Sequence, residues 1–334
     1  MSCGLDVGTS FIVLSRDAAK GSVVYKEFRD AFYIIKPTTP VATKMIEKGL
    51  AGKVFIKDSD GAFILLGKDA IEKAIERNDT AKRPMHKGVV SAKEKDAKRV
   101  LAFILKEVVG KASEPDEKLV FCIPAQPVDQ EDEDFDVGYH EDVVKTILGE
   151  CGYAARAINE AEALCYAELE ETDYTGIAIS CGAGMTNVCV MLNGEPTVLF
   201  STTKSGDWID RMSAVATGES DSVVQAEKEN GGFVIGEPHD NPILGAVSAY
   251  YERLIDYTTK QLSAALTGHK LLPKFKDPLT VVVAGGTSQA QGYIELFASK
   301  LQENNFPLVV KEVKHATDPL HAVAKGCLIA AKVL

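Results

Sequence analysis

The chain has 334 residues, 46% hydrophobic and 25% charged, which is the composition of a soluble globular protein and a length that favours two domains. Its 48 acidic residues against 37 basic ones give a net charge of −11, which argues against nucleic acid as a partner. No apolar run approaches the roughly 20 residues that span a bilayer, and no signal-peptide pattern is present. We therefore expect a cytoplasmic protein with no membrane partner.

The first elements predicted along the chain are three strands. SCGLDVGTSFIVLSR has two apolar runs around a Gly-Thr-Ser turn, and SVVYKEF supplies the third strand. The same plan returns at Gly176 with GIAIS, the turn CGAGMT, NVCVML, the turn NGEP and TVLFS. Residues 6–8 therefore correspond to residues 180–182 in an internal repeat. Two similar halves, each with a glycine turn between its first two strands, suggest a cleft bounded from both sides.

The segments around the second hairpin alternate between helical and strand patterns. Before it lie SAKEKDAKRVLAFILKEVVGKA, the strand KLVFCIP, HEDVVKTILGECGY and the helix NEAEALCYAELEE, for which Asn159 is a suitable N-cap. After it lie GDWIDRMSAVATG, SDSVVQAEKENG, NPILGAVSAYYERLIDYTTKQLSAAL, the strand TVVVAGG, SQAQGYIELFASKL and DPLHAVAKGCLIAAKVL. This alternation predicts an α/β fold with mixed or parallel sheets. The acidic stretch at 130–136 is interpreted as a solvated surface loop.

The seven cysteines form no Cys-x-x-Cys pair, and most of them lie inside apolar runs. Zinc sites depend on tightly spaced ligands, so this pattern favours buried reduced thiols over a zinc site or a disulfide framework.

Three glycine-containing loops carry the chemistry that the sequence suggests. Backbone amides in a glycine turn can point together at an anion, and residues with little or no side chain let a phosphate approach closely. GTS and GAGMT are two such turns, and AGGTSQAQG lies between a buried strand and a predicted helix. Asp6 precedes the first turn, where a carboxylate could hold hydrated magnesium against a nucleotide's phosphates. Each loop alone is weak evidence, but three in this order favour a nucleotide site.

The order GLDVGTS, FCIPA, INEAEALCYAELEE, AISCGAGMTNV and VVVAGGTSQAQG resembles the ATPase superfamily that contains actin, the DnaK chaperones and sugar kinases. Within it the chain is most similar to bacterial actins of the MreB, MamK and ParM type. RPMHKGVV, SGDWIDRM, AEKEN and DPLHAVAKGCLIA resemble further segments of those proteins.

This resemblance implies a two-domain actin-like fold, in which each domain is a mixed five-stranded sheet with flanking helices. The first domain would comprise residues 1–157 and 316–334, with a small subdomain IB at about 31–90. The second would comprise residues 158–315, with subdomain IIB at about 214–245. A central nucleotide cleft would lie between the domains.

The resemblance also implies the site residues. ATP or ADP with Mg²⁺ is the implied cofactor, with Asp6 on the metal side, Glu160 orienting the attacking water, and Ser180 at a position that normally carries an aspartate. For Glu160, a plain capping role in the first helical turn is an equally good interpretation. The implied nucleotide contacts are Gly8, Thr9, Ser10, Gly182, Ala183, Gly184, Met185, Thr186, Gly206, Asp207, Glu227, Lys228, Gly285, Gly286 and Thr287.

Ser180 is the main departure from the family pattern. Phosphoryl transfer depends on positioning and on neutralising charge, so losing a carboxylate near the metal should slow hydrolysis more than binding. Serine can accept a hydrogen bond from a metal-bound water but brings no charge. Met185 stands where the family usually has threonine. The hypothesis is slow hydrolysis, which Ser180→Asp would then accelerate.

The fold serves filaments, chaperones and kinases, so function needs a further argument. No β-rich peptide-binding domain follows the ATPase segments, which argues against a chaperone, and no aspartate stands out as a sugar kinase's base. An ATPase that assembles head to tail into cytoskeletal filaments, with a cargo or adaptor as a further partner, is the favoured interpretation. The alternative is a non-polymerising regulatory actin relative.

Overall fold

The computed structural model describes residues 2–18, 21–77, 79–130, 135–230, 232–268 and 274–334. The strands are β1 (Ser2–Val7), β2 (Phe11–Asp17), β3 (Val23–Arg29), β4 (Phe32–Ile35), β5 (Phe55–Lys57), β6 (Phe63–Leu66), β7 (Met85–His86), β8 (Val89–Val90), β9 (Glu117–Ile123), β10 (Tyr153–Asn159), β11 (Gly176–Cys181), β12 (Thr186–Leu192), β13 (Glu195–Thr202), β14 (Leu279–Ala284) and β15 (Val310–His315). The helices are α1 (Pro40–Gly49), α2 (Lys68–Glu76), α3 (Ala97–Val109), α4 (Val137–Glu150), α5 (Glu160–Glu168), α6 (Gly206–Thr217), α7 (Asp221–Asn230), α8 (Pro242–Gly268), α9 (Tyr293–Glu303) and α10 (Ala322–Val333).

Two five-stranded mixed sheets form the frame, and both have the same topology. The first has the order β10-β9-β1-β2-β3, and the second has the order β13-β12-β11-β14-β15. In each, the opening strand pairs antiparallel with the next strand and parallel with a later one. The repeat predicted from the sequence is therefore present, and we call the parts built on these sheets the first and second halves.

The register of the two hairpins puts corresponding residues opposite each other. Asp6 pairs with Val13 in the first half, and Ser180 pairs with Asn187 in the second. Cross-strand partners lie on the same face of a sheet, so the side chains of Ser180 and Asn187 are neighbours. This pairing determines which groups reach the space between the halves.

Each half has its own core, and a third core lies between them. The first contains residues of β1, β2, α3, β9 and α4, and the second contains residues of β11–β14, α8 and α9. The third joins β9, α5, β11, β12, β14 and α10, so α5 and α10 link the sheets. These two helices touch at Gly326, where an added Cβ would lie 1.8 Å from the carbonyl oxygen of Ala163. Only glycine allows this crossing.

A smaller unit is inserted between β3 and α3. Its three-stranded sheet has the order β4-β6-β5, and its core includes Tyr33, Ile35, Phe63 and Leu65. Because the side chains of β4 pack into cores, their apolar character is explained by packing within the chain.

The loop AGGTSQAQG differs from its sequence prediction in one respect. It forms a short 3₁₀ turn over Gly286–Gln289, and α9 begins only at Tyr293. Gly292 adopts a left-handed conformation with φ of 88°, which keeps the helix from starting earlier. A helix N-terminus therefore does not follow the glycines directly.

Most of the acidic stretch at 130–136 lies outside the described residues. Asp136 is described, and its Oδ1 caps α4 by accepting a hydrogen bond from the amide of Tyr139 at 2.9 Å. Within the described ranges, no helix is long and apolar enough to cross a membrane.

Candidate nucleotide site

A cavity of about 570 Å³ lies between the two hairpins. This volume falls within the range typical of small-molecule sites. Fifteen of the eighteen residues that the sequence singled out line it: Asp6, Gly8, Thr9, Ser10, Glu160, Ser180, Gly182, Ala183, Gly184, Met185, Asp207, Lys228, Gly285, Gly286 and Thr287. The repeat thus brings the two predicted turns to one space.

The other three residues do not line this cavity. Thr186 is fully buried, and its hydroxyl donates to the carbonyl oxygen of Lys204 at 3.1 Å. Glu227 accepts a hydrogen bond from the side-chain amide of Asn241 at 3.2 Å. Gly206 packs behind the second turn, where an added Cβ would lie 2.6 Å from Oγ1 of Thr287. All three are placed to support neighbouring segments, and their contact with a nucleotide stays a prediction.

The two turns present unpaired backbone amides from opposite sides. Within the described part of the chain, the amides of Thr9, Ser10, Ala183 and Gly184 donate no hydrogen bond. Convergent unpaired amides make an anion-binding concavity, so the arrangement suits phosphate groups.

The second turn owes its shape to hydrogen bonds behind it. The carbonyl oxygen of Gly182 accepts from the hydroxyls of Ser205 at 2.6 Å and Thr287 at 2.7 Å. The amide of Asp207 donates to the carbonyl oxygen of Ala183 at 2.8 Å. These carbonyls bond to the segments behind the turn, and the amides of Ala183 and Gly184 remain available to a ligand in the cavity.

Gly285 is required where the third loop meets the second turn. Its φ is 91°, and an added Cβ would lie 2.3 Å from the carbonyl oxygen of Cys181. Both the left-handed conformation and this close approach exclude a side chain.

The turns also touch each other at the cavity floor. The hydroxyl of Thr9 accepts a hydrogen bond from the amide of Gly88 at 2.9 Å, and an added Cβ on Gly184 would lie 2.4 Å from that hydroxyl. Met185 is 3% exposed, and its sulfur lies 2.9 Å from where a Cβ on Gly88 would be. Met185 therefore packs between the halves.

Most charged groups around the cavity are paired. Arg83 donates to both carboxylate oxygens of Asp207 at 2.7 and 2.8 Å, and Arg29 pairs with Glu229 at 2.8 Å. Both pairs join the first half to the second. Lys228 pairs with Asp210 at 2.7 Å, and both side chains are nearly buried. Asp207 and Lys228 thus have partners within the chain already.

Asp6 and Glu160 are the acidic cavity residues for which the described chain shows no cationic partner in contact. Burial raises the pKa of Asp6 to about 6. The thiol of Cys122 donates a hydrogen bond to Oδ1 of Asp6 at 3.1 Å, which lowers the pKa by a smaller amount. Burial and the charge of Asp6 raise the pKa of Glu160 to about 8. Two partly buried carboxylates that share a cavity resist ionisation unless a cation joins them.

This electrostatic situation fits magnesium. Mg²⁺ prefers oxygen ligands, keeps several waters, and commonly takes only one or two carboxylates along with substrate phosphates. Within the described ranges, no group of three or more His, Cys, Asp or Glu side chains could hold a metal ion alone. Asp6 beside an anion-binding concavity matches a metal held jointly with phosphates.

Glu160 begins α5, but it does not cap that helix. The helix is capped by Asn159, whose Oδ1 accepts from the amides of Ala161 at 2.9 Å and Glu162 at 3.3 Å. The Glu160 carboxylate instead accepts from the Ser180 hydroxyl at 2.6 Å and from the Asn187 side-chain amide at 2.9 Å. The capping interpretation of Glu160 is therefore wrong, because its carboxylate points to β11 and β12.

Sequence reasoning missed Asn187 and an aromatic pair. Asn187 does not line the cavity, yet it is fully buried and holds Glu160. Phe233 and Tyr251 line the cavity, with ring centroids 5.6 Å apart, which gives it an apolar wall. The repeat could have indicated Asn187, since it stands opposite Ser180. The aromatic pair had no such signal, because Tyr251 fits the apolar pattern of α8.

Solved structures similar to the chain share its whole architecture. The MamK double helical filament is 19% identical, covers 100% of this chain and 99% of its own, and gives a TM-score of 0.72. A non-polymerising mutant of MamK bound to AMPPNP, also 19% identical, covers 99% of this chain and 98% of its own, with a TM-score of 0.57. MreB 5 of Spiroplasma citri bound to AMPPNP is 15% identical, covers 99% and 96%, and gives 0.68. The chain therefore has the two-domain actin-like ATPase fold expected from its sequence.

No curated protein sequence matches the chain significantly. The model of the family described as Volactin matches residues 1–331, which is nearly the whole chain. The chain thus belongs to the Volactin family.

Proposed function

We propose that the protein binds ATP with Mg²⁺ and assembles head to tail into cytoplasmic filaments, hydrolysing the nucleotide slowly. The observation that carries the nucleotide proposal is the cavity lined by both turns, whose amides at Thr9, Ser10, Ala183 and Gly184 donate no hydrogen bond among the described residues. Asp6 would hold the metal, and Glu160 would orient the attacking water. When bound, the metal would neutralise charge that develops on the phosphates.

The halves would act as the two domains of an actin-like ATPase. We propose residues 1–157 and 316–334 as the first and 158–315 as the second, with subdomains IB at 31–90 and IIB at 214–245. The pairs Arg83–Asp207 and Arg29–Glu229 cross between them, and Arg83 also donates to Gln225 at 3.3 Å. Arg83 belongs to the IB range, and Gln225 and Glu229 to the IIB range, so the outer subdomains would meet over the nucleotide.

Comparisons with solved structures support both polymerisation and an adenine nucleotide. The chain superposes better on MamK in its filament than on the non-polymerising mutant, although both have the same sequence identity to it. This difference in TM-score, 0.72 against 0.57, supports the proposal of a filament-forming chain. The nucleotide in the MamK mutant and in MreB 5 is AMPPNP, an adenine nucleotide analogue, which favours ATP here.

The test is a high-speed pelleting assay with magnesium-ATP, read with phosphate release and negative-stain electron microscopy. Filaments that persist while little phosphate is released are the expected result. Soluble protein at every nucleotide state would favour a non-polymerising regulator that uses its ATP-bound form to engage a partner. Phosphate release as fast as that of ordinary bacterial actins would refute the slow step.

A further inference from the structure

The Glu160 carboxylate is held at both of its oxygens. Its Oε1 accepts the Ser180 hydroxyl at 2.6 Å, and its Oε2 accepts the Asn187 side-chain amide at 2.9 Å. Both donors are almost fully buried, at 2% and 0% exposure. A carboxylate bonded at two oxygens by groups on a rigid sheet has one orientation, and its remaining lone pairs point in fixed directions.

The orientation of the Asn187 amide is itself determined. Its Oδ1 accepts a hydrogen bond from the backbone amide of Ala125 at 2.9 Å. Since a backbone amide can only donate, the opposite side of the Asn187 group must be its NH₂, which faces Glu160. The first half thus sets the orientation of a side chain in the second.

Ala125 belongs to a tether, residues 125–129, that leaves β9 and attaches to the second half. The Ser201 hydroxyl donates to the carbonyl oxygen of Ala125 at 2.7 Å, and the amide of Val128 donates to that of Ser201 at 2.9 Å. Asp129 accepts from the amide of Thr203 at 2.8 Å and from the Tyr257 hydroxyl at 2.7 Å. Asn187 is therefore fixed by a segment that connects the halves.

We infer that Ser180 and Asn187 are positioning residues that hold the Glu160 carboxylate for the attacking water. This inference rests on the proposed function. Ser180 then has a task that an aspartate at the same position could not perform, because an ionised aspartate has no proton to donate to Glu160.

With Ser180 as the donor to Glu160, the expected effect of Ser180→Asp is opposite to the one predicted from the sequence. If Ser180 were only a lost metal-side charge, restoring a carboxylate would accelerate hydrolysis. In this geometry, the new carboxylate would face Glu160 at a distance where the serine hydroxyl now bonds, and like charges that close repel strongly. Ser180→Asp should then slow phosphate release.

The experiment measures steady-state phosphate release and binding of a fluorescent ATP analogue for the full chain with Mg²⁺. Ser180→Ala should lower kcat by roughly tenfold or more, as misplaced catalytic groups do, while nucleotide affinity stays within about twofold. Asn187→Ala should act in the same way. In a Glu160→Ala background, where no carboxylate remains to be held, Ser180→Ala should cause no further loss.

Ser263→Ala is the matched control. Ser263 is also buried, and its hydroxyl has no hydrogen-bond partner in the described part of the chain, so its removal should leave kcat unchanged. Asn187→Ala is interpreted only if thermal unfolding shows a folded protein; otherwise Ser180→Ala carries the test. Faster release by Ser180→Asp, or an undiminished effect of Ser180→Ala in the Glu160→Ala background, would overturn the inference. A wild-type chain that binds no nucleotide would overturn the proposed function as well.

Discussion

The two hairpins share a backbone and differ in chemistry. Each turn is closed by one equivalent hydrogen bond, from the amide of Gly8 to the carbonyl of Phe11 and from that of Gly182 to that of Met185, both at 3.0 Å. The cross-strand pair before the turn is Asp6 with Val13 in the first half and Ser180 with Asn187 in the second. The two hairpins thus provide a symmetric backbone frame for phosphates, while only the first carries a carboxylate at the corresponding position.

This asymmetry assigns different tasks to the two halves. Asp6 brings a carboxylate from the first hairpin to the cavity, where it has no cation in contact among the described residues. The second half brings two neutral hydrogen-bond donors, and both act on Glu160, which enters from α5 between the sheets. One hairpin would bind the metal, and the other would orient the water.

The largest effect should come from making the first hairpin as neutral as the second. Asp6→Asn keeps the shape of the side chain and removes its charge, so a metal held there would lose its protein ligand. Metal stabilisation of the transition state is worth several kcal/mol, so phosphate release should fall by more than about a hundredfold. Magnesium titration with phosphate release measures the loss.

A matched control for this change is Asp17→Asn. Asp17 ends β2 and pairs with Lys332 at 2.6 Å, and it does not line the cavity, so its neutralisation should leave turnover unchanged. If Asp6→Asn kept magnesium-dependent release within a few-fold of wild type, the metal would not depend on the first hairpin.

A smaller effect should appear in the pH dependence of stability without metal. Glu160 ionises at a pKa of about 8 in the folded chain against 4.5 normally, so the folded state holds its proton more tightly than the unfolded state. The free energy of unfolding should therefore fall as pH rises from 4.5 towards 8, by a few kcal/mol. Mg²⁺ favours the ionised carboxylates and should stabilise the protein most at the alkaline end. Urea unfolding across this range, with and without Mg²⁺, gives the comparison.

Glu160→Gln should flatten the pH dependence, since the glutamine does not titrate. Asp6 contributes with the same sign, because its pKa is raised to about 6 from 3.8. A free energy of unfolding that stayed constant from pH 4.5 to 8 would contradict the view that these carboxylates lack a cation.

The fold and much of the site could be predicted because their signals are local. Glycine turns between apolar runs indicate hairpins, and a repeat of such turns indicates two matching sheets, as the structure has them. The position of Asp6 directly before a turn places it at the cavity without further information.

Side-chain partners could not be predicted, because they depend on segments far apart in sequence. Asp207, predicted as a nucleotide contact, lines the cavity, but its pairing with Arg83 from the other half was not predicted. The role of Ser180 was interpreted from the charge it lacks, whereas the structure shows the proton it donates. The orientation of the Asn187 side chain is set by the hydrogen bond from the backbone amide of Ala125, and no hydrophobic periodicity in the sequence indicates that contact.

The smallest expected effect is a difference in stability between alanine substitutions in the two turns, because the space around their glycines differs. An added Cβ on Gly8 would lie 2.7 Å from the carbonyl oxygen of Phe11, whereas on Gly182 it would lie 3.4 Å from that of Met185. Neither glycine has a positive φ, so clearance is the main backbone difference between them. Gly8→Ala should lower the free energy of unfolding by roughly 1–3 kcal/mol, as overpacking does, and Gly182→Ala by less than about 1 kcal/mol.

Urea unfolding without nucleotide measures both changes, and Gly245→Ala is the reference. Gly245 lies in α8 with open space around its Cα, so alanine should stabilise the helix by about 0.5–1 kcal/mol. Equal losses for Gly8→Ala and Gly182→Ala would mean that the turns are equivalent in packing as well as in hydrogen bonding. Unequal losses would show that the asymmetry of the halves extends from their side chains to the space around their backbones, with the tighter turn next to the carboxylate that would hold the metal.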